Sequence, residues 1–166
     1  MTTIAGPQSS RMQTADWLTP PHILAALGTF DLDPCGYPGQ ETAKRVIAPP
    51  EDGLAVPWAA RVFLNPPYSR QAPVWIRRMA EHGNGTALLF ARTDTQWFTQ
   101  HVWEKAAALL FLKGRVFFCR PDGTRAIDNG GAPSVLVAYG NYDAAWLGGC
   151  GLPGMFVRNW RASCRP

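Results

Sequence analysis

Asn65-Pro66-Pro67-Tyr68 stands directly behind the apolar run Val62-Phe63-Leu64, and its four residues have the chemistry needed to handle a conjugated amino group. The lone pair of such an amine is delocalised into its ring or amide, so it attacks an electrophile poorly unless something localises it. The Asn65 side-chain oxygen and the Pro66 carbonyl can accept both N–H protons and hold the nitrogen toward tetrahedral geometry. Pro66 and Pro67 stiffen the backbone and remove two competing N–H donors. The Tyr68 ring offers a flat face to a planar base, a contact worth about 1–3 kcal/mol. As plain turn formers the same residues would merely end a strand. A strand just before them, however, puts Asn65 at the carboxyl end of a sheet, where open α/β folds bind ligands.

An amine activated in this way needs a methyl donor beside it, and the usual one is S-adenosylmethionine, with an ammonium, a carboxylate and a sulfonium. Asp31-Leu32-Asp33-Pro34-Cys35-Gly36 can meet the ammonium, because a carboxylate at a strand end followed by a tight glycine turn leaves room for close approach. Asp33, last in that strand, is the expected acceptor, with Asp31 on the same face as the second choice. Asp33 equally suits a turn before Pro34. Gly36 and Gly39 do not complete a GxGxxG fingerprint.

The elements that must position these groups follow from local pattern. Residues 1–13 are polar and patternless and read as a flexible arm. Thr19 as N-cap, with Pro20 at the first helical position, opens a helix to about Leu27 that Gly28 closes. Residues 29–33 read as a strand, followed by a loose stretch to Trp58 with one short strand near 45–48. Ala72, Trp75, Ile76 and Met79 form a helical stripe. Residues 86–91 are a continuous apolar run of the kind buried in a sheet centre. Thr93-Asp94-Thr95-Gln96 matches a capping box, predicting a helix to about Lys105. Residues 107–112 and 115–119 flank Lys113-Gly114 and read as paired strands or a bent hairpin. Residues 133–139 form another strand. The glycine-rich remainder reads as loop with one short strand near 155–157. Strands alternating with helices imply a mixed or mostly parallel α/β sheet with helices on its faces and an antiparallel edge.

At 166 residues the chain fits one domain with a real core. A hydrophobic content of 46% against 17% charged residues excludes a disordered chain. No run approaches a membrane span, and residues 1–10 lack the apolar centre of a signal peptide, so a cytoplasmic location is expected. The net charge of +4 suits a polyanionic partner. Cys35, Cys119, Cys150 and Cys164 are too far apart for a zinc knuckle and are expected as free thiols. His22, His82 and His101 have no ligand spacing, so no metal is expected.

Six blocks, in order, resemble the phage-type DNA N6-adenine methyltransferases: Asp16-Trp17-Leu18-Thr19-Pro20, Phe30-Asp31-Leu32-Asp33-Pro34, Glu51-Asp52-Gly53-Leu54 ending at Trp58, Asn65-Pro66-Pro67-Tyr68, Thr93-Asp94-Thr95-Gln96-Trp97-Phe98 and Lys113-Gly114-Arg115. The likeness spans roughly residues 14–140. It implies a compact, reduced Rossmann-like methyltransferase sheet over residues 14–146, followed by a glycine-rich basic segment at 147–166. It also implies a catalytic motif of Asn65, Pro66, Pro67 and Tyr68, and donor contacts from Thr19, Asp33, Pro34, Gly36, Asp52 and Asn65. Only residues 34–64 separate Asp33 from Asn65, so the adenosine pocket must be reduced or built from loops near Glu41 and Asp52.

The partner implied is DNA, handled by a monomer or homodimer. An amine inside a duplex is unreachable, so the base must be flipped out or offered on a single strand. Arg70, Arg92, Lys113 and Arg115 follow strand or motif ends and are the candidate phosphate contacts. Phe117 or Phe118 could supply the second face of a base sandwich. Cytosine N4 and a glutamine side chain present the same conjugated NH₂ and remain alternatives, as does an inactive nucleic-acid-binding module of the same fold.

Overall fold

The computed structural model describes residues 17–127 and 130–163. The arm expected at 1–13, Asp16 of the first block, Cys164 and the tail residue Arg165 lie outside them. A seven-stranded sheet forms the centre. Its strands are β1 (Leu32–Asp33), β2 (Arg45–Val46), β3 (Val62–Leu64), β4 (Gly85–Phe90), β5 (Ala108–Leu112), β6 (Ser134–Tyr139) and β7 (Gly154–Arg158), in the spatial order β2-β1-β3-β4-β6-β5-β7. Strands β2, β1, β3 and β4 are parallel neighbours. β6 runs against both β4 and β5, and β7 runs against β5, which makes the antiparallel side. The mixed α/β class expected from the alternation is the class observed.

Two apolar layers cover the sheet. On one side lie α2 (Ala72–His82) and α3 (Gln96–Phe98), the latter continued by a π-helical turn (Thr99–Trp103). They bury Trp75, Ile76, Met79, Phe98 and Val102 against alternate residues of β3, β4 and β6. On the other side α1 (Pro21–Leu27) and α4 (Asn141–Gly149) bury Ile23, Leu27, Ala144 and Leu147 against Phe63, Leu88 and Leu136. The stripe on α2 faces the core as its spacing predicts, and Gly83 ends the helix in the left-handed region at φ 71°, its N–H bonded to the Met79 carbonyl. No described helix is long and apolar enough to cross a membrane.

Several local expectations gave way to tertiary partners. Thr19 does not cap α1; the helix starts one residue later, behind Pro20, with no side-chain cap, and Thr19 is buried elsewhere. The box at residues 93–96 forms no reciprocal cap either, because the Thr95 hydroxyl donates backward to the Arg92 carbonyl. Residues 115–119 do not pair with β5, since β6 and β7 already occupy both of its edges. Cys119 instead bridges Leu18 and Arg125. α4 arises where loop was expected.

What holds α4 is a buried ion pair at the amino-terminal ends of β3 and β4. The Arg61 guanidinium donates to both Asp143 oxygens at 2.8–3.2 Å, to the Thr29 carbonyl at 2.8 Å and to the Leu27 carbonyl at 3.0 Å. Phe30 lies 4.1 Å beneath it. Asp143, fully buried, also accepts the Thr86 hydroxyl at 2.6 Å. Burying both charges is tolerable because nearly every donor and acceptor is matched. Arg61→Ala would strand that carboxylate, and urea titration should show a loss of about 3–5 kcal/mol of unfolding free energy. A loss nearer the median for surface pairs, about 1 kcal/mol or less, would contradict this role.

Candidate active site

The chain leaves β1 toward β2 on one side and later enters β3 on the other, so the strand order reverses between β1 and β3. Ligands of open α/β sheets bind at such a switch point, outside the carboxyl ends of the strands. A cavity of about 580 Å³ lies there. Asp33 is the last residue of β1, and Asn65 is the first beyond β3. The register pairs Leu32 with Val62, so these two strand ends are adjacent.

Thr19, Asp33, Pro34, Gly36, Asp52 and Asn65 all line this one cavity, and so do Pro66, Pro67 and Tyr68. The Asn65 amide is oriented by its neighbours. Its Nδ2 donates to the Trp17 carbonyl at 2.9 Å and to Thr19 Oγ1 at 3.1 Å. A carbonyl can only accept, so the amide nitrogen must face Trp17 and the oxygen must face the other way. That oxygen accepts the Tyr68 hydroxyl at 3.1 Å and keeps a second lone pair. The Pro66 carbonyl accepts no hydrogen bond from any described residue.

Tyr68 is more confined than its type suggests. Phe90 stacks on its ring at 3.9 Å and 18°, and Phe118 meets it edge-on at 5.7 Å, so a base could use only the opposite face. Burial holds its hydroxyl well above the ordinary phenol range, which keeps it a neutral donor. Neither Phe117 nor Phe118 lines the cavity, so neither completes a base sandwich there.

Asp33 is 2% exposed. One carboxylate oxygen accepts the Cys35 N–H at 2.9 Å, and the other accepts the Thr42 hydroxyl. Desolvation raises its pKa to about 6 against these two lowering hydrogen bonds. Asp31 does not line the cavity; Lys44 binds one of its oxygens at 2.7 Å at the surface, and the other accepts the Arg61 backbone N–H at 3.1 Å. Cys35 lines the cavity as an unreactive thiol, pushed up to about 12 by burial and then by Asp33.

The opposite wall is a clamped loop. Asp52 accepts the Leu54 N–H at 2.9 Å, which closes the turn at Gly53. Arg78 of α2 donates to the Leu54 and Val56 carbonyls at 3.0 and 2.6 Å. A Cβ on Gly53 would sit 1.7 Å from the Pro34 carbonyl oxygen, and one on Gly36 would sit 2.2 Å from Val46 Cγ1. Both positions therefore exclude side chains, and the two loops meet backbone to backbone.

Of the four cations singled out, none lines this cavity. Arg70 is exposed in the turn before α2, and Arg92 is half-buried beyond β4. Lys113 and Arg115 border a second cavity. Sequence reasoning missed Thr42, which stands in a stretch without motif, and gave Trp17 and Trp75 no site role. Both indoles line the cavity, and each has a buried N–H without a partner among the described residues. Cys35, Cys119 and Cys150 are free. No cluster of metal-ligating residues occurs among the described residues.

A family model described as DNA N-6-adenine-methyltransferase (Dam) matches residues 7–148. No curated protein and no solved structure matches the chain.

The raised pKa of Asp33 makes stability depend on pH. The folded state holds this proton more tightly than the unfolded chain, whose value is 3.8. The carboxyl therefore favours folding fully below about pH 4, and this contribution is lost as pH rises to about 6, a change of about 2–3 kcal/mol. Asp33→Asn can keep both hydrogen bonds and carries no charge. Its unfolding free energy should gain on that of the wild type across this window and run parallel above it. Parallel profiles throughout would refute the desolvation.

Proposed function

The chain belongs to the DNA N-6-adenine-methyltransferase (Dam) family, and from that premise we propose that its switch-point cavity transfers a methyl group from S-adenosylmethionine to N6 of an adenine flipped out of DNA. S-adenosylmethionine, when bound, supplies an electrophilic methyl carried on a sulfonium. The residues present fit it. Asp33 is a buried acceptor for its ammonium, and the desolvation that raises the free carboxyl strengthens its pairing with a cation. The unpartnered indole N–H groups of Trp17 and Trp75 suit acceptors on the adenosine end. Pro34, Gly36 and Asp52 shape the two loops between which it would lie.

The observation that carries the reading is the fixed Asn65 amide. Its oxygen keeps a lone pair while its nitrogen is committed to Trp17 and Thr19, and the Pro66 carbonyl beside it accepts nothing from the described residues. Together they take the two N–H protons of an exocyclic amine and leave its lone pair pointing away from both acceptors. Because these acceptors are held before the base arrives, no reorganisation is needed during the reaction. Tyr68 aligns the Asn65 oxygen through its hydroxyl and offers the base its one uncovered face. On this reading residues 14–146 carry the transferase, the partner is DNA, the location is cytoplasmic and no metal takes part.

The test is to incubate the protein with DNA and methyl-labelled S-adenosylmethionine and digest to nucleosides. N6-methyladenine is the expected product. N4-methylcytosine or methylated glutamine would support the alternative acceptors, and no donor binding by calorimetry would support an inactive module. Asn65→Ala should lower kcat by about 10²–10³-fold, the range for deleting one preorganised hydrogen-bonding group, and leave the donor Kd within about threefold, since uniform binding is untouched. Equal losses in both would show that Asn65 serves the donor instead.

A further inference from the structure

Beside the catalytic cavity lies a second one of about 570 Å³, walled by the start of α1, by the segment after β5 and by Leu152 and Pro153. Three exposed cations border it, Lys113, Arg115 and Arg125, and no Asp or Glu is among its lining residues. None of the three pairs with a carboxylate among the described residues. Asp122, in the adjoining turn, is occupied by the Thr124 N–H and hydroxyl. The Arg125 guanidinium lies 3.9 Å over the Phe117 ring, so the groove contains a flat cation-on-aromatic surface as well as charge.

Its position relative to the catalytic cavity is set by topology. β5 runs antiparallel to β6, which runs antiparallel to β4, so β5 points the same way as β1, β3 and β4. Lys113, just past β5, therefore stands at the same end of the sheet as Asp33 and Asn65. The wall between the cavities is thin. Leu18 and Thr19 line the first, Pro20 lines the second, and Leu18 exchanges two 2.9 Å backbone bonds with Cys119 of the second.

We propose that this groove holds the DNA strand next to the target adenine in unpaired form, with Lys113 and Arg115 on its phosphates and a neighbouring base against the Phe117–Arg125 surface. The inference rests on the methyltransferase reading above. A polyanion with planar bases is the ligand that needs unpaired cations and an aromatic platform together. The apolar lining from Leu152 and Pro153 favours a strand with exposed base faces over a duplex backbone.

The test is fluorescence anisotropy of a labelled single-stranded oligonucleotide over a range of salt concentrations, with S-adenosylmethionine binding measured in parallel by calorimetry. K113E/R115E/R125E should raise the oligonucleotide Kd more than tenfold and flatten the salt slope by about 1.4, at about 0.7 for each of the two phosphate contacts on a single strand. Donor binding should be unchanged. The control R77E/K105E/R158E carries the same charge change on exposed positions away from the groove, and should stay within about twofold. Phe117→Leu should weaken single-strand binding several-fold with the salt slope intact. Unchanged binding in the groove variants, or equal loss in the control, overturns the groove while the catalytic reading stands. A wild type that binds donor but no DNA overturns both.

Discussion

A main-chain carbonyl accepts a hydrogen bond but never donates one, and at the switch point that asymmetry fixes which way the Asn65 amide faces. The Trp17 carbonyl, with the Thr19 hydroxyl beside it, claims the amide nitrogen of Asn65 and turns the oxygen toward the cavity. Were that amide reversed, its oxygen would face another oxygen and its N–H groups would face the incoming amine, a donor meeting donors. On the proposed reading, the segment 17–20 serves the site by orienting the Asn65 amide. It is held in turn by its pairing with Cys119, which explains why residues 115–119 cross the end of the sheet instead of forming a hairpin.

The sheet separates stability from function along the strand direction. At the amino-terminal ends of β3 and β4, Arg61, Asp143 and Thr86 are matched almost group for group, and they lock α4 and the end of α1 to the sheet. At the carboxyl ends polar groups are left wanting: a desolvated carboxylate and, among the described residues, two indole N–H groups without partners and an unused carbonyl. A fold can carry these costs at one end because the other is well satisfied, and unmet groups gathered in one cavity are what a polar ligand would complete.

Much of this was legible in the chain itself, for physical reasons that differ by element. β4 and β6 are continuous apolar runs and α2 has a clean stripe, so burial on two faces or on one dictated them locally. The placement of Asp33 and Asn65 at adjacent strand ends on one cavity was legible because each stands at the end of a short apolar strand. α4 was not, since its anchor pairs Asp143 with Arg61 across 82 residues and its own sequence ends in two glycines. Thr19 read as a helix cap because the competing partner, Asn65, is distant in sequence. Thr42 sits in a motif-free loop, and nothing local marks it as the hydroxyl that meets Asp33. Long-range partners overruled short-range signals at each of these positions.

On the proposed reading one cavity takes the donor's ammonium on β1 and the acceptor amine on β3. A crystal structure of the chain with S-adenosylhomocysteine tests it most directly. The account predicts the ligand's ammonium on the Asp33 carboxylate, its adenosine end near Trp17 and Trp75, and its sulfur facing the Asn65 oxygen. A ligand that leaves Asp33 unpaired, or directs its sulfur away from Asn65, would contradict it.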